Sequence, residues 1–182
     1  MTENTNGLMN QSSSKLHGDD AVSHVISLLE TDNDYAEAQL TPLQESIVRL
    51  EGFHLKPEKE ITGQTVVGVG QTGIYADMTF PEVFQAKEAE ARKLFPNYDN
   101  YNFALKKAIM SGTYRGDFKK GHKTVELIND EHWAEAGRMF LRNSADDGDS
   151  LSYASSKTNP NLAGVKTRLE NISNTLKAQT QP

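Results

Sequence analysis

A chain of 182 residues with 36% apolar content has the material for one domain, or for two small lobes sharing a helix, and supports a packed core. Its net charge of −6 argues against nucleic acid, which needs clustered Lys and Arg to neutralise phosphates. The absence of cysteine excludes disulfides and thiolate chemistry, and no apolar run approaches the roughly 18 residues that span a bilayer.

The N-terminal stretch MTENTNGLMNQSSSKLHGDD is polar, lacks aromatic residues and shows neither the basic nor the apolar region of a signal peptide. If the substrate lies outside the cytoplasm, something else must deliver the protein. DDAVSHVISLLE then offers Asp caps and the apolar Val22, Val25, Ile26, Leu28 and Leu29, enough for one short helix. That helix either packs on the main domain or docks onto another protein, and TDNDYAEAQ reads as a polar connector. Residues 1–40 are therefore taken as an extension and candidate docking arm, removable without unfolding a domain spanning 41–178; 179–182 form a tail.

In LTPLQESIVRL, Leu43, Ile47 and Leu50 fall on one helical face, and Gly52 comes where the helix should stop. Glu51 is then the last helical residue, at the negative end of the helix dipole, a position suited to a general acid. Its replacement by glutamine is expected to leave stability unchanged or slightly raised. A second carboxylate, Glu60, follows in a loop, and TVVGVG predicts a short strand with a tight turn. Glu51 and Glu60 can supply the two carboxyl groups that glycoside hydrolysis requires. Gly68 to Gly73 also match a dinucleotide fingerprint in spacing, but IYADMTFP follows in place of a helix, so a hairpin is the better reading.

Thr79-Phe80-Pro81-Glu82 has capping-box spacing and opens a helix that Pro96 and Asn97 end. NFALKKAIMSG predicts a short buried helix stopped by Gly112. Trp133 then reads as a core anchor. Ser144 to Ser152 reads as a solvated turn, since the glutamate that would complete a calcium loop is missing. Asn159 and Pro160 then open a last helix with Leu162, Val165, Leu169, Ile172 and Leu176 in helical register. His17, His24, His54, His122 and His132 have no metal-ligand spacing, so neither a metal nor a cofactor is expected.

The segment Glu51 to Gly73 resembles the phage-type lysozymes, the muramidases of tailed bacteriophages. Glu51-Gly52, Leu55-Lys56, Gly63 and Gly68-Val69-Gly70 match that pattern without a gap, and Gly164-Val165-x-x-Arg168 is similar to the Gly-Leu-x-x-Arg near its end. Three positions depart: Glu60 stands where an aspartate is usual, Val66 where a threonine is usual and Gln71 where a histidine is usual. The resemblance implies a mostly helical α+β fold of two lobes, a small one with a β-hairpin and a larger helical one, with a sugar cleft between them. It further implies cleavage, with inversion, of the β-1,4 bond between N-acetylmuramic acid and N-acetylglucosamine in peptidoglycan. Glu51 and Glu60 would be catalytic, while Val66, Gly70, Gln71 and Phe118 would line the substrate site. It also implies a protein made in a host cytoplasm that acts from a virion or after release at lysis; residues 1–40, outside the resemblance, are the candidate arm toward a virion or tail partner. The departures support a rival expectation, a structural virion protein that keeps the fold with weak or no turnover.

Overall fold

The computed structural model describes residues 14–31, 39–59, 63–146 and 153–179. The polar tail up to residue 13, the connector over 32–38, Glu60, and the turn expected at Ser144 to Ser152 from residue 147 onward lie outside them. Among the described residues the protein is a mostly helical α+β structure of eight α-helices and a four-stranded antiparallel sheet near the N-terminus. No described helix is long and apolar enough to cross a membrane.

The sheet runs in simple order, β1 (Lys15–Leu16), β2 (Phe53–Lys59), β3 (Thr65–Gly68) and β4 (Gln71–Thr72). Between β1 and β2 lie α1 (Gly18–Thr31) and α2 (Pro42–Glu51). Thr41 opens α2 with a full capping box, exchanging hydrogen bonds with Gln44 in both directions, and Pro42 occupies the first turn, where a missing N–H costs nothing. Gly52 closes it at φ 71° and ψ −173°, a backbone region that is essentially glycine's alone. A Cβ at Gly52 would also stand 2.5 Å from the carbonyl oxygen of Leu16, so glycine lets β1 lie against the end of α2.

Residues expected as a separable arm are built into this body. β1 pairs with β2, placing Lys15 opposite His54 and Leu16 opposite Phe53, and the Ser14 carbonyl accepts from the Leu55 N–H at 2.8 Å. Ala21, Val22, Val25 and Leu29 of α1 are buried in the same apolar cluster as Ile47 and Val48 of α2. The spacing of these residues is that of a helix packed on its own domain.

The rest of the chain is helical: α3 (Phe80–Leu94), α4 (Phe103–Arg115), α5 (Lys123–Asn129), α6 (Trp133–Asp146), α7 (Tyr153–Thr158) and α8 (Ala163–Lys177). The capping box that opens α3 is formed, with Glu82 accepting from both the N–H and the hydroxyl of Thr79 at 2.8 Å. Contrary to the expectation from the sequence, Gly112 does not stop α4; the helix continues to Arg115 and ends at Gly116 in the left-handed region, φ 79°. Gly112 is instead where the Phe118 ring presses on the helix, and a Cβ there would collide with the ring. Pro160 opens a 3-10 turn, Pro160–Leu162, ahead of α8. At Gly137, α6 meets α8 so closely that the Gly137 carbonyl accepts a 2.7 Å bond from the Ser173 hydroxyl. Trp133 packs edge-on to Tyr101 at 5.9 Å as a core anchor.

Candidate active-site cleft

A cleft of about 640 Å³ opens where the end of α2, the β2–β3 hairpin and the start of α8 converge. Glu51, the terminal residue of α2, stands in its wall with a side chain 13% exposed. Its carboxylate accepts hydrogen bonds from both terminal nitrogens of Arg168, one of them at 3.0 Å, while Arg168 Nε donates to the Ser111 hydroxyl at 2.8 Å. This is the forked geometry in which a guanidinium fixes a carboxylate in direction as well as in place. Burial disfavours the Arg168 cation, yet the charge and hydrogen bonds of Glu51 outweigh it and leave the pKa raised. Tyr114, also on α4, has a buried hydroxyl with no hydrogen-bond partner among the described residues; burial first, and the Glu51 charge second, push its pKa up.

The hairpin backs the same carboxylate. Gly70, at φ 69° in the β3–β4 turn, lies against Glu51: a Cβ there would stand 3.5 Å from its Oε2, an ordinary contact distance, so it is the backbone conformation that favours glycine. Val66 of β3 lines the cleft and is 1% exposed. Across the hairpin its register partner is Glu58, which also lines the cleft. His54 lies beside Glu58, with Nδ1 3.1 Å from Oε2.

The structure thus brings Glu51, Val66 and Gly70 of the sequence-derived set together, and Glu60 lies outside the described residues. Gln71 and Phe118 sit elsewhere. Gln71 is 7% exposed and is consumed by the hairpin itself: its amide oxygen accepts from the Val69 N–H at 2.7 Å and its amide nitrogen donates to the Met78 carbonyl at 2.6 Å. Phe118 is 2% exposed and forms part of the core between Phe95 and Phe140, each ring 5.2 Å away, so its assignment to the substrate site is corrected.

Sequence reasoning did not assign Arg168, Ser111, His54 or Glu58 to the site. The Gly164-x-x-x-Arg168 pattern was a usable signal for Arg168. β2 offered no such signal, because the charged run around Pro57 lacks apolar alternation and the strand is irregular between His54 and Glu58. Among the described residues, no three His, Asp or Glu side chains gather as a metal site.

Comparison of the chain with family models, with curated proteins and with solved structures finds no match. What the cleft can do is therefore argued from its own side chains: an oriented carboxylate, a second carboxylate and an imidazole face a space large enough for sugar rings.

Proposed function

We propose that the protein is a peptidoglycan hydrolase of the phage-type lysozyme kind, with two lobes flanking the cleft, cutting the β-1,4 bond between N-acetylmuramic acid and N-acetylglucosamine. The observation that carries the reading is the convergence of Glu51, Gly70 and Arg168. These residues come from three separate parts of the resembled pattern, and Arg168 is 117 residues from the carboxylate it holds. Sequence similarity in three short motifs does not require their side chains to meet; an active site does.

In this mechanism Glu51 protonates the leaving glycosidic oxygen, while a second carboxyl group on the other face of the sugar takes a proton from the attacking water. Arg168 fixes the direction of the Glu51 carboxyl group, and such positioning supplies much of the rate in a two-carboxylate site. The enzyme would act on the wall from a virion or after release at lysis. A zymogram on purified peptidoglycan tests the reading, with Glu51→Gln as the blank: a cleared band for wild type and none for the variant is the expected result. A cleared band for Glu51→Gln would remove Glu51 from the mechanism.

A structural virion protein with this fold and no turnover is the second reading. It is favoured by Val66, which offers the cleft a methyl group where the resembled enzymes have a hydroxyl, and by Gln71, whose amide is spent on the hairpin. An empty zymogram at high protein loading, together with co-sedimentation on intact walls, is its signature.

A further inference from the structure

Strand β2 carries an irregularity whose result is a carboxylate in the cleft. His54 pairs with Gly68 and Glu58 with Val66, so Leu55, Lys56 and Pro57 on β2 face Val67 alone on β3. Extra residues on one strand bend it and re-aim its side chains. Pro57 lies in that bend, where its missing N–H breaks no regular ladder. The bend folds Glu58 back toward His54, and the two side chains meet at 3.1 Å.

The pair is asymmetric in its surroundings. The His54 side chain is 7% exposed, whereas that of Glu58 is 34% exposed and stands in the cleft wall with Glu51. An imidazole that donates from Nδ1 orients one carboxylate oxygen and leaves the other to water. That is the arrangement of a base prepared on a rigid element, since β2 is bonded on both sides by β1 and β3.

We infer that Glu58 is the base of the proposed hydrolysis and His54 its positioning residue; the inference rests on the reading of the cleft as a glycosidase site. Water bonds through oxygen to the anomeric carbon as Glu58 takes one of its protons. The bond from that carbon to the leaving oxygen breaks, the electron pair stays on the oxygen, and the oxygen receives the proton of Glu51. One water is added across the bond, and proton exchange with solvent resets both carboxyl groups.

The test is turnover of purified peptidoglycan by wild type and by variants at Glu58, Glu60 and His54. Glu58→Gln should lower kcat by about 100-fold or more with little change in KM, as loss of a general base does. Glu58→Ala should recover turnover when azide is added, giving a glycosyl azide of inverted configuration, because azide needs no base. The fall in kcat should be larger in Glu58→Gln than in Glu60→Gln. His54→Asn, which keeps a donor near Nδ1, should retain more of kcat than His54→Leu. Retained turnover in Glu58→Gln, loss without azide rescue in Glu58→Ala, or azide rescue in Glu60→Ala would each overturn the assignment while leaving the cleft reading intact. A wild type that cuts no wall material overturns both.

Discussion

Arg168, on the last helix, holds the carboxylate of Glu51, on the second, through both terminal nitrogens, and each side chain is only 13% exposed. Removing one partner of a buried ion pair leaves a charge uncompensated, at a cost of about 3–5 kcal/mol. Arg168→Met should therefore lower the melting temperature sharply. Glu51→Gln should also destabilise, which reverses the sequence-based expectation of unchanged or raised stability, because the neutral amide leaves the guanidinium without its counter-charge. The double variant Glu51→Gln, Arg168→Met should cost less than the sum of the two single changes. Chemical denaturation of the four proteins checks this as a double-mutant cycle.

Deleting residues 1–31 should unfold the protein or leave it aggregating. Val22, Val25 and Leu29 are each at most 6% exposed, and burying such a side chain is worth about 1.5–3 kcal/mol. Three of them approach the whole stability of an ordinary domain, about 5–15 kcal/mol, before the loss of β1 is counted. Circular dichroism of the truncated chain decides the matter; a cooperative melt close to that of the full chain would return the segment to the status of a separable arm.

Gly52→Ala should be among the most damaging single changes. The backbone conformation costs a residue with a Cβ about 1–3 kcal/mol, and the added carbon meets the backbone of β1 in place of a movable side chain. Thermal melts should show a loss beyond what an exposed Ala change gives, and wall cleavage should fall with it, since Glu51 is the adjoining residue.

These features differ in how far they can be read from the sequence. The end of α2 at Gly52, the capping boxes at Thr41 and Thr79 and the glycine-rich hairpin are set by residues within four positions of one another, so local pattern suffices. Gly112 was misread because its reason is an aromatic ring six residues away in space-filling contact, beyond a helix that never stops there. β2 was read as a loop because its charged and proline-containing run has no apolar alternation; pairing with β1 and β3 makes it a strand. Gln71 and Phe118 were assigned to the site by alignment to a pattern, and only their three-dimensional partners show them spent on the hairpin and the core.

The capping box at Thr79 and Glu82 makes α3 sensitive to acid. Hydrogen bonds from the Thr79 backbone N–H, and then from its hydroxyl, lower the Glu82 pKa below its ordinary 4.5. A carboxylate with a lowered folded-state pKa contributes stability above its unfolded pKa and loses that contribution as pH falls through the folded one. Glu82→Ala should therefore melt below wild type at neutral pH, and the gap should narrow as the pH drops below about 4.5. Paired melting curves at neutral and acid pH check the direction.

Val66→Thr should raise turnover. Val66 lines the cleft directly opposite Glu58 in the hairpin register, so a hydroxyl at this position would stand beside the water that Glu58 is inferred to activate. A methyl group gives that water no hydrogen bond, and one bond gained in the transition state is worth about 1–3 kcal/mol, or roughly 5- to 150-fold in rate. The exchange nearly conserves volume, but at 1% exposure an unpartnered hydroxyl costs stability, so the melting temperature should fall unless the oxygen is bonded. Rate and stability then move in opposite directions, as a functional site allows and a packing site does not. In the Glu58→Gln background the gain from Val66→Thr should vanish if both residues act on the same water. A gain of equal size there would mean that the hydroxyl works through some other group, and a faster double variant of Val66→Thr with Glu60→Asp would point to Glu60 as that group.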